Sequence, residues 1–255
     1  MTDYAGRIPD DSEFRKNRDS LKSQMSQSDS LRAQAIELSI ASNEFGYGYQ
    51  WEWCGVPIIR HPDDIVLQQE IMWDLKPSRV IETGVARGGS LVLSSSLMKM
   101  SGNQSKVLGI DIEIFPHALD SLAFWTKTGD ISLLEADSTS QNAQDAVKSF
   151  LSSTTDPVLL ILDSNHTHSH VLGELIVYSK LLPLHSIIIV ADTIVEEMPP
   201  DFYPNRPWGR GNNPLTAIRE FLLTNGEWSP DPRWSRRSLL GECRDGILRK
   251  IAPTS

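Results

Sequence analysis

Five acidic residues of this 255-residue chain, Glu82, Asp111, Asp137, Asp163 and Asp192, sit at or just past the end of a short apolar run. One aspartate after a strand can simply cap the next helix. Five in the same relative place describe the carboxyl end of an open α/β sheet, where such folds put their ligand crevice. Glu82 is followed by a glycine loop, Gly84-Val-Ala-Arg87-Gly88-Gly89-Ser90. Its spacing departs from the G-x-G-x-x-G of dinucleotide sites, and no Gly-Lys-Ser/Thr follows to cradle a phosphate. Glycines there permit a tight turn and close approach of a ligand. With a carboxylate beside it and no phosphate-binding lysine, the loop suits a ligand bearing cationic and hydroxyl groups.

His166, three residues past Asp163, is the best candidate for a general base, since imidazole titrates near neutral pH. His168 and His170 invite a zinc reading, but i, i+2, i+4 spacing on one helix turns the middle side chain away, and no cysteine joins them. His61-Pro62-Asp63 matches the H-x-D of iron oxygenases in form only, because no jelly-roll strand pattern accompanies it.

The elements that must position these residues are legible from residue 79 onward. Strands are expected at Arg79–Thr83, Lys106–Asp111, Ile131–Glu135, Pro157–Asp163 and Ser186–Asp192. The last two are nearly continuous apolar runs, as in strands buried on both faces of a parallel sheet. Helices are expected from Leu91 to Met100, over His170–Leu182 and from near Leu215, and a final antiparallel strand over Gly246–Ile251, at or near the edge. The fold class is α/β, a doubly wound, mostly parallel Rossmann-like sheet. Residues 1–45 read as a partly ordered arm with a short helix around Leu31–Ile40, and 46–255 as one domain. Phe45-Gly-Tyr-Gly-Tyr-Gln-Trp-Glu-Trp-Cys-Gly55 is either an apolar flap over the sheet or an entry segment lining a pocket. Phe202 to Pro214 is a long Pro/Gly/Asn loop of the kind used as lids; Trp208 and Arg210 in it are candidate acceptor contacts.

Composition sets outer limits. Twenty-four basic against 33 acidic residues give a net charge of −9, which argues against nucleic-acid binding through bulk positive charge. No run approaches the length of a membrane helix, and the N-terminus lacks a signal peptide's apolar core. Cys54 and Cys243 are too few and too far apart for a disulfide scaffold or CxxC site. The expectation is a cytoplasmic protein.

Asp111 lies where α/β nucleotide sites hold a ribose diol. With Glu82, Gly84, Arg87, Gly88 and Ser90 around the methionine moiety and Asp137 near the adenine, the pattern suggests S-adenosylmethionine. The segments Trp73-Asp-Leu-Lys-Pro-Ser-Arg-Val-Ile-Glu-Thr-Gly-Val-Ala-Arg-Gly-Gly-Ser90, Val107-Leu-Gly-Ile-Asp-Ile112, Leu162-Asp-Ser-Asn-His-Thr-His-Ser-His-Val-Leu-Gly-Glu-Leu175 and Val190-Ala-Asp-Thr-Ile194 resemble the cephalosporin hydroxylase / rhamnosyl O-methyltransferase family of class I methyltransferases, over roughly residues 45–251. That resemblance implies methyl transfer to a hydroxyl of a sugar or natural product, and a Mg2+ site on Asp163 and Asp192 like that of catechol-type O-methyltransferases. Asp163 and His166 would be the catalytic pair, with Asp163 also near the cofactor. The residue before Asp192 is usually Glu in the family and is Ala191 here, so metal dependence is open; Glu196 or Glu197 could substitute. Assembly into a homo-oligomer through the arm and the aromatic segment is expected. The rival readings are a noncatalytic partner that keeps the fold, favoured by Ala191, and a NAD-dependent redox enzyme, disfavoured by the glycine spacing.

Overall fold

The computed structural model describes residues 11–253. Their centre is a seven-stranded sheet. In chain order its strands are β3 (Arg79–Thr83), β4 (Val107–Asp111), β5 (Ile131–Glu135), β6 (Val158–Leu162), β7 (Ile187–Val190), β8 (Trp228–Pro230) and β9 (Ile247–Lys250), numbered after a preceding two-stranded hairpin, β1 (Trp51–Trp53) and β2 (Val56–Ile58). Spatial order is β5-β4-β3-β6-β7-β9-β8, all parallel neighbours except that β9 runs antiparallel to β7 and β8. Strand order reverses between β3 and β6, and the carboxyl ends of those two strands carry the glycine loop and Asp163. This is the switch point of a doubly wound sheet.

Alternating side chains of the strands divide between two cores. Val80, Leu159, Ile161 and Ile187 pack on one face with α3 (Pro62–Leu75), α4 (Gly89–Met100) and α5 (Pro116–Lys127). Ile81, Leu160, Leu162 and Ile188 pack on the other with α6 (Gln141–Leu151), α7 (His168–Tyr178) and α8 (Pro214–Thr224). All five residues of β6 are buried, as its unbroken apolar run requires.

The arm differs from the single short helix expected. Two helices, α1 (Asp11–Ser26) and α2 (Asp29–Asn43), meet at Ser28, whose hydroxyl caps α2 by accepting from Leu31 N–H. α1 buries no residue, so its sequence carries no core-facing stripe from which to read it. Arg32 fixes α2 to the body through a bidentate pair with Glu197 (both contacts 2.7 Å) and a contact to Asp245 at 3.0 Å. Residues 1–10, also assigned to the arm, lie outside the described residues.

The aromatic segment packs on α4, and its first part borders a cavity. Cys54 and Gly55, at φ 52° and 79°, turn the β1–β2 hairpin, and Trp53 Nε1–H donates to Ser96 on α4 at 2.8 Å. Gly48 and Tyr49, just before it, face a cavity described below. The hairpin comes so close to α4 that a Cβ on Gly89 would overlap the Pro57 carbonyl and lie 2.8 Å from Ile58 Cα. Helix propensity alone makes Gly→Ala stabilising by about 1 kcal/mol; here Gly89→Ala will instead destabilise by about 1–3 kcal/mol through backbone overlap. A lowered urea midpoint checks this, and an unchanged or raised one contradicts it.

Candidate active site

At the end of β3, Glu82 is 1% exposed, and its counter-charge is Arg60, equally buried, 3.2 Å away. Arg60 also reaches Asp163 at 3.3 Å, so one guanidinium bridges the ends of β3 and β6. Burial pushes the Glu82 carboxyl up, while Arg60 draws it down. Glu82 Oε2, Thr83 Oγ1 and Ser90 Oγ are buried without a hydrogen bond of good geometry, although Ser90 lies near enough to Glu82 to draw its carboxyl down. Unsatisfied buried polar atoms are uncommon and call for an explanation. An acceptor and two hydroxyls beside a glycine loop fit the ammonium and carboxylate of an amino-acid moiety. Gly84 holds φ 92°, and a Cβ there would strike the Asp163 carbonyl, which locks loop and β6 together.

Asp111 closes the other side. Its Oδ2 accepts from Val85 N–H at 2.7 Å and Ala86 N–H at 3.4 Å, and Oδ1 from Glu113 N–H at 3.3 Å. It thereby shapes the loop, and a carboxylate's roughly four acceptor positions leave capacity for a hydroxyl. Asp137 is exposed and turned onto Thr139, whose N–H and hydroxyl hold it below the usual carboxylate range. Arg87 is exposed, and Gly88 (φ 89°) starts α4.

Beyond the loop lies a cavity of about 330 Å³, bounded by Ala86, Asp163, Ser164, His166, Asp192 and the lid residues Tyr203, Arg206 and Trp208. Ligand atoms of Asp163, His166 and Asp192 all lie within 4.8 Å of one another. His166 Nε2 is 3.4 Å from Asp192 Oδ2, and Trp208 meets the imidazole edge-on, centroids 4.8 Å apart. Burial raises the Asp163 carboxyl to about 7, with Asp192 and Glu82 adding to the rise against Arg60 and His166. Asp192 is held at φ 55° at the start of the turn Thr193–Glu197, a left-handed conformation of the kind that concentrates at functional sites. Two carboxylates and an imidazole converging this closely fit a divalent cation.

The three clustered histidines all diverge, and not only the middle one, because His166 lies in the loop before α7 and so does not share a helix face with His170. His166 faces Asp192; His168 meets Thr216 at 2.8 Å and Glu220 at 3.0 Å; His170 meets Ser138, Ser164 and Glu174. The Glu174 contact raises the His170 pKa against burial. Stability from that pair is therefore full below the ordinary imidazole pKa and is lost as pH rises through the raised value. The difference in melting temperature between wild type and His170→Gln should shrink from about pH 5.5 to about pH 8.5.

Several sequence expectations land elsewhere. Arg210 is exposed and outside the cavity; Arg206, stacked 5.1 Å over the Trp208 ring, takes that place. Neither glutamate offered in place of Ala191 reaches the cluster. Glu196 accepts from Gly211 N–H (2.8 Å) and Asn213 Nδ2 (2.6 Å), pinning the lid, and Glu197 holds Arg32. Ala191 is itself buried in the core. His61 and Asp63 are both engaged by one loop: His61 Nδ1 donates to the Leu240 carbonyl, and Asp63 accepts from Leu239 N–H (2.9 Å) and Leu240 N–H (3.0 Å). The loop they hold brings Glu242 to the cavity, a residue no motif announced. Burial pushes the Glu242 carboxyl well up, and Asp192, Asp64 and Asp163 add to the rise.

A larger groove, about 620 Å³, lies between α1, α3 and the segment that follows β8, and shares no residue with the cavity at Asp163. Its charges pair among themselves, as Arg237 with Glu70 and Arg233 with Asp74.

A family model described as Rhamnosyl O-methyltransferase/CmcI matches residues 45–251. The curated Rhamnosyl O-methyltransferase of Mycobacterium tuberculosis (strain ATCC 25618 / H37Rv) is 30% identical over 169 residues, 66% of this chain and 65% of that protein. That of Mycobacterium leprae (strain TN) is 30% identical over 141 residues, 55% of this chain and 59% of its own length. The chain thus spans less than two thirds of these curated relatives. Among solved structures, CmcI with Mg and SAM has a TM-score of 0.54 at 21% identity, covering 80% of this chain and 78% of that one. TomG from Streptomyces achromogenes, an O-methyltransferase in complex with SAM, has a TM-score of 0.50 at 14% identity, covering 97% and 100%. At these identities the structures speak to the fold, which is that of the S-adenosylmethionine-dependent methyltransferases. No helix of the described residues is long and apolar enough to cross a membrane.

Proposed function

The chain belongs to the Rhamnosyl O-methyltransferase/CmcI family, and from that premise we propose that it is an S-adenosylmethionine-dependent O-methyltransferase acting on a hydroxyl of a sugar or natural-product acceptor, assisted by a divalent metal ion. The observation that carries this reading is the convergence of Asp163, His166 and Asp192 in one cavity beside the glycine loop.

S-Adenosylmethionine, when bound, supplies an electrophilic methyl group on a sulfonium sulfur. Glu82, Ser90 and the loop from Gly84 to Gly89 would hold its amino-acid end, and Asp111 its ribose. An alcohol attacks poorly until its proton is removed, so the remaining task belongs to the cavity. Mg2+ prefers oxygen ligands, which assigns Asp163 and Asp192 to the ion and leaves the imidazole of His166 to take the hydroxyl proton. Asp192, 3.4 Å from Nε2, stabilises the imidazolium that results. A divalent ion held by these two carboxylates would supply Lewis acidity that lowers the pKa of the acceptor hydroxyl. Trp208 and Tyr203 form an aromatic rim that shields the acceptor from water, and Trp208 fixes the ring of His166.

Isothermal titration with S-adenosylmethionine, with and without Mg2+, tests the proposal. Saturable 1:1 binding is expected; no binding under either condition would sink it. Ala191 favours one alternative, a noncatalytic partner that keeps the cofactor pocket, and the Asp192 substitution discussed below separates the two.

A further inference from the structure

We propose that Glu242 is a positioning residue of the cation site at Asp163 and Asp192, beside His166, accepting hydrogen bonds from the water shell of the bound ion. This rests on the metal-assisted reading above, and its test is built to fail separately from that reading.

Glu242 lies in the loop before β9, and its backbone is fixed at three points. Its carbonyl accepts from Ile194 N–H at 3.1 Å and Thr193 Oγ1–H at 3.0 Å, the two residues directly after Asp192. Its N–H donates to Asp64 Oδ2 at 2.6 Å, at the start of α3. Glu242 therefore keeps a constant place relative to Asp192, although 50 positions separate them in the chain.

The side chain, unlike the backbone, is uncommitted. His61 Nε2 stands 3.7 Å from one of its carboxylate oxygens, beyond hydrogen-bond distance. The His61 ring is itself engaged through Nδ1, which donates to the Leu240 carbonyl. Among the described residues no group donates to the Glu242 carboxylate. It nevertheless borders the cavity that Asp163 and Asp192 border. Arg60, the buried cation of this region, is engaged by Glu82 and Asp163. Asp163, Asp192 and Glu242 thus share one cavity, and of the three only Asp163 is hydrogen-bonded to Arg60.

An ion with two protein carboxylates completes its shell with water, and those waters need acceptors. Ala191 offers none, and Glu196 and Glu197 are bound elsewhere. Glu242 is the cavity carboxylate left to accept them. The ligand atoms of Asp163, His166 and Asp192 cluster within 4.8 Å without it, which favours contact through water over direct ligation.

Mn2+ is the probe, titrated into the full chain without cofactor and followed by calorimetry and by water-proton relaxation, which counts waters on the ion. Glu242→Gln and Glu242→Ala should each weaken Mn2+ binding about 10–100-fold, the usual effect of losing an outer-shell partner. The number of ion-bound waters should stay as in wild type, because no direct ligand is lost. Glu242→Ala keeps the backbone contacts that pin the loop and serves if the glutamine variant folds poorly. Asp192→Asn is the reference and should gain a water or lose binding altogether. If both Glu242 variants bind Mn2+ within twofold of wild type while Asp192→Asn fails, Glu242 has no such role although the metal site stands. A change in bound-water count on Glu242→Gln would overturn the outer-shell assignment. Wild type that binds no Mn2+ would overturn both readings together.

Discussion

Replacing Arg60 by Met will lower the stability of this protein by about 3–5 kcal/mol, the cost of stranding a buried carboxylate without its partner. For a domain of this size that is roughly 10 °C in melting temperature. The size follows from where Arg60 sits: at 3% exposure it is the counter-charge of Glu82, itself 1% exposed, and it also restrains Asp163. Glu82 cannot turn to water, so the single substitution forces it either to protonate or to remain charged in a low-dielectric site. Neutralising the stranded group should undo much of the damage. Arg60→Met with Glu82→Gln is expected to recover more than half of the lost melting temperature, measured by calorimetry. Equal melting of the single and double variants would mean that lost packing around the Arg60 stem, not the unpaired charge, explains the destabilisation.

Asp192→Asn should have the largest effect on turnover, a fall of roughly 10²–10⁴-fold, the contribution of a positioned base and its partner. The fold should not suffer. Asn accepts the left-handed backbone that Asp192 occupies at φ 55°, and removing one negative charge relieves its repulsion with Asp163 and Glu242. A melting temperature equal to or above wild type, together with lost formation of S-adenosylhomocysteine across a panel of sugar hydroxyl acceptors with Mg2+, is the expected pair of results. A variant as active as wild type would remove Asp192 from the chemistry. A wild type that binds S-adenosylmethionine but turns over no hydroxyl acceptor would favour the noncatalytic partner.

The sheet was legible because parallel strands buried on both faces leave long apolar runs, as at Val158–Leu162 and Ile187–Val190, and because acids recur after them. The strand-end positions of Asp163 and Asp192 could be read for the same reason. Legibility ended where position depends on contacts far apart in sequence. Glu242 follows a three-residue stretch, Leu239-Leu240-Gly241, with no periodicity, and reaches the cavity only because Asp63, Asp64 and His61 at the head of α3 hold its loop. Arg60 stands in a short loop without any motif, and its place depends on Glu82 and Asp163, 22 and 103 positions away. Arg206 and Arg210 are both in a loop without a repeating pattern, so nothing in their spacing could say which would turn inward. α1 was missed for the opposite reason: it buries nothing, so its residues had no stripe to display.

The second helix of the arm has a bearing on how the molecule could diversify. Ser39 and Asn43 of α2 form part of the cavity wall, yet they lie before residue 45, where the family match begins. The groups proposed for methyl transfer all belong to the matched portion. Entry width and reaction chemistry are thereby written in different stretches of chain, joined across space mainly by the Arg32–Glu197 clasp. Exchanging α2 while keeping that clasp would reshape part of the cavity wall and leave every residue proposed for methyl transfer untouched.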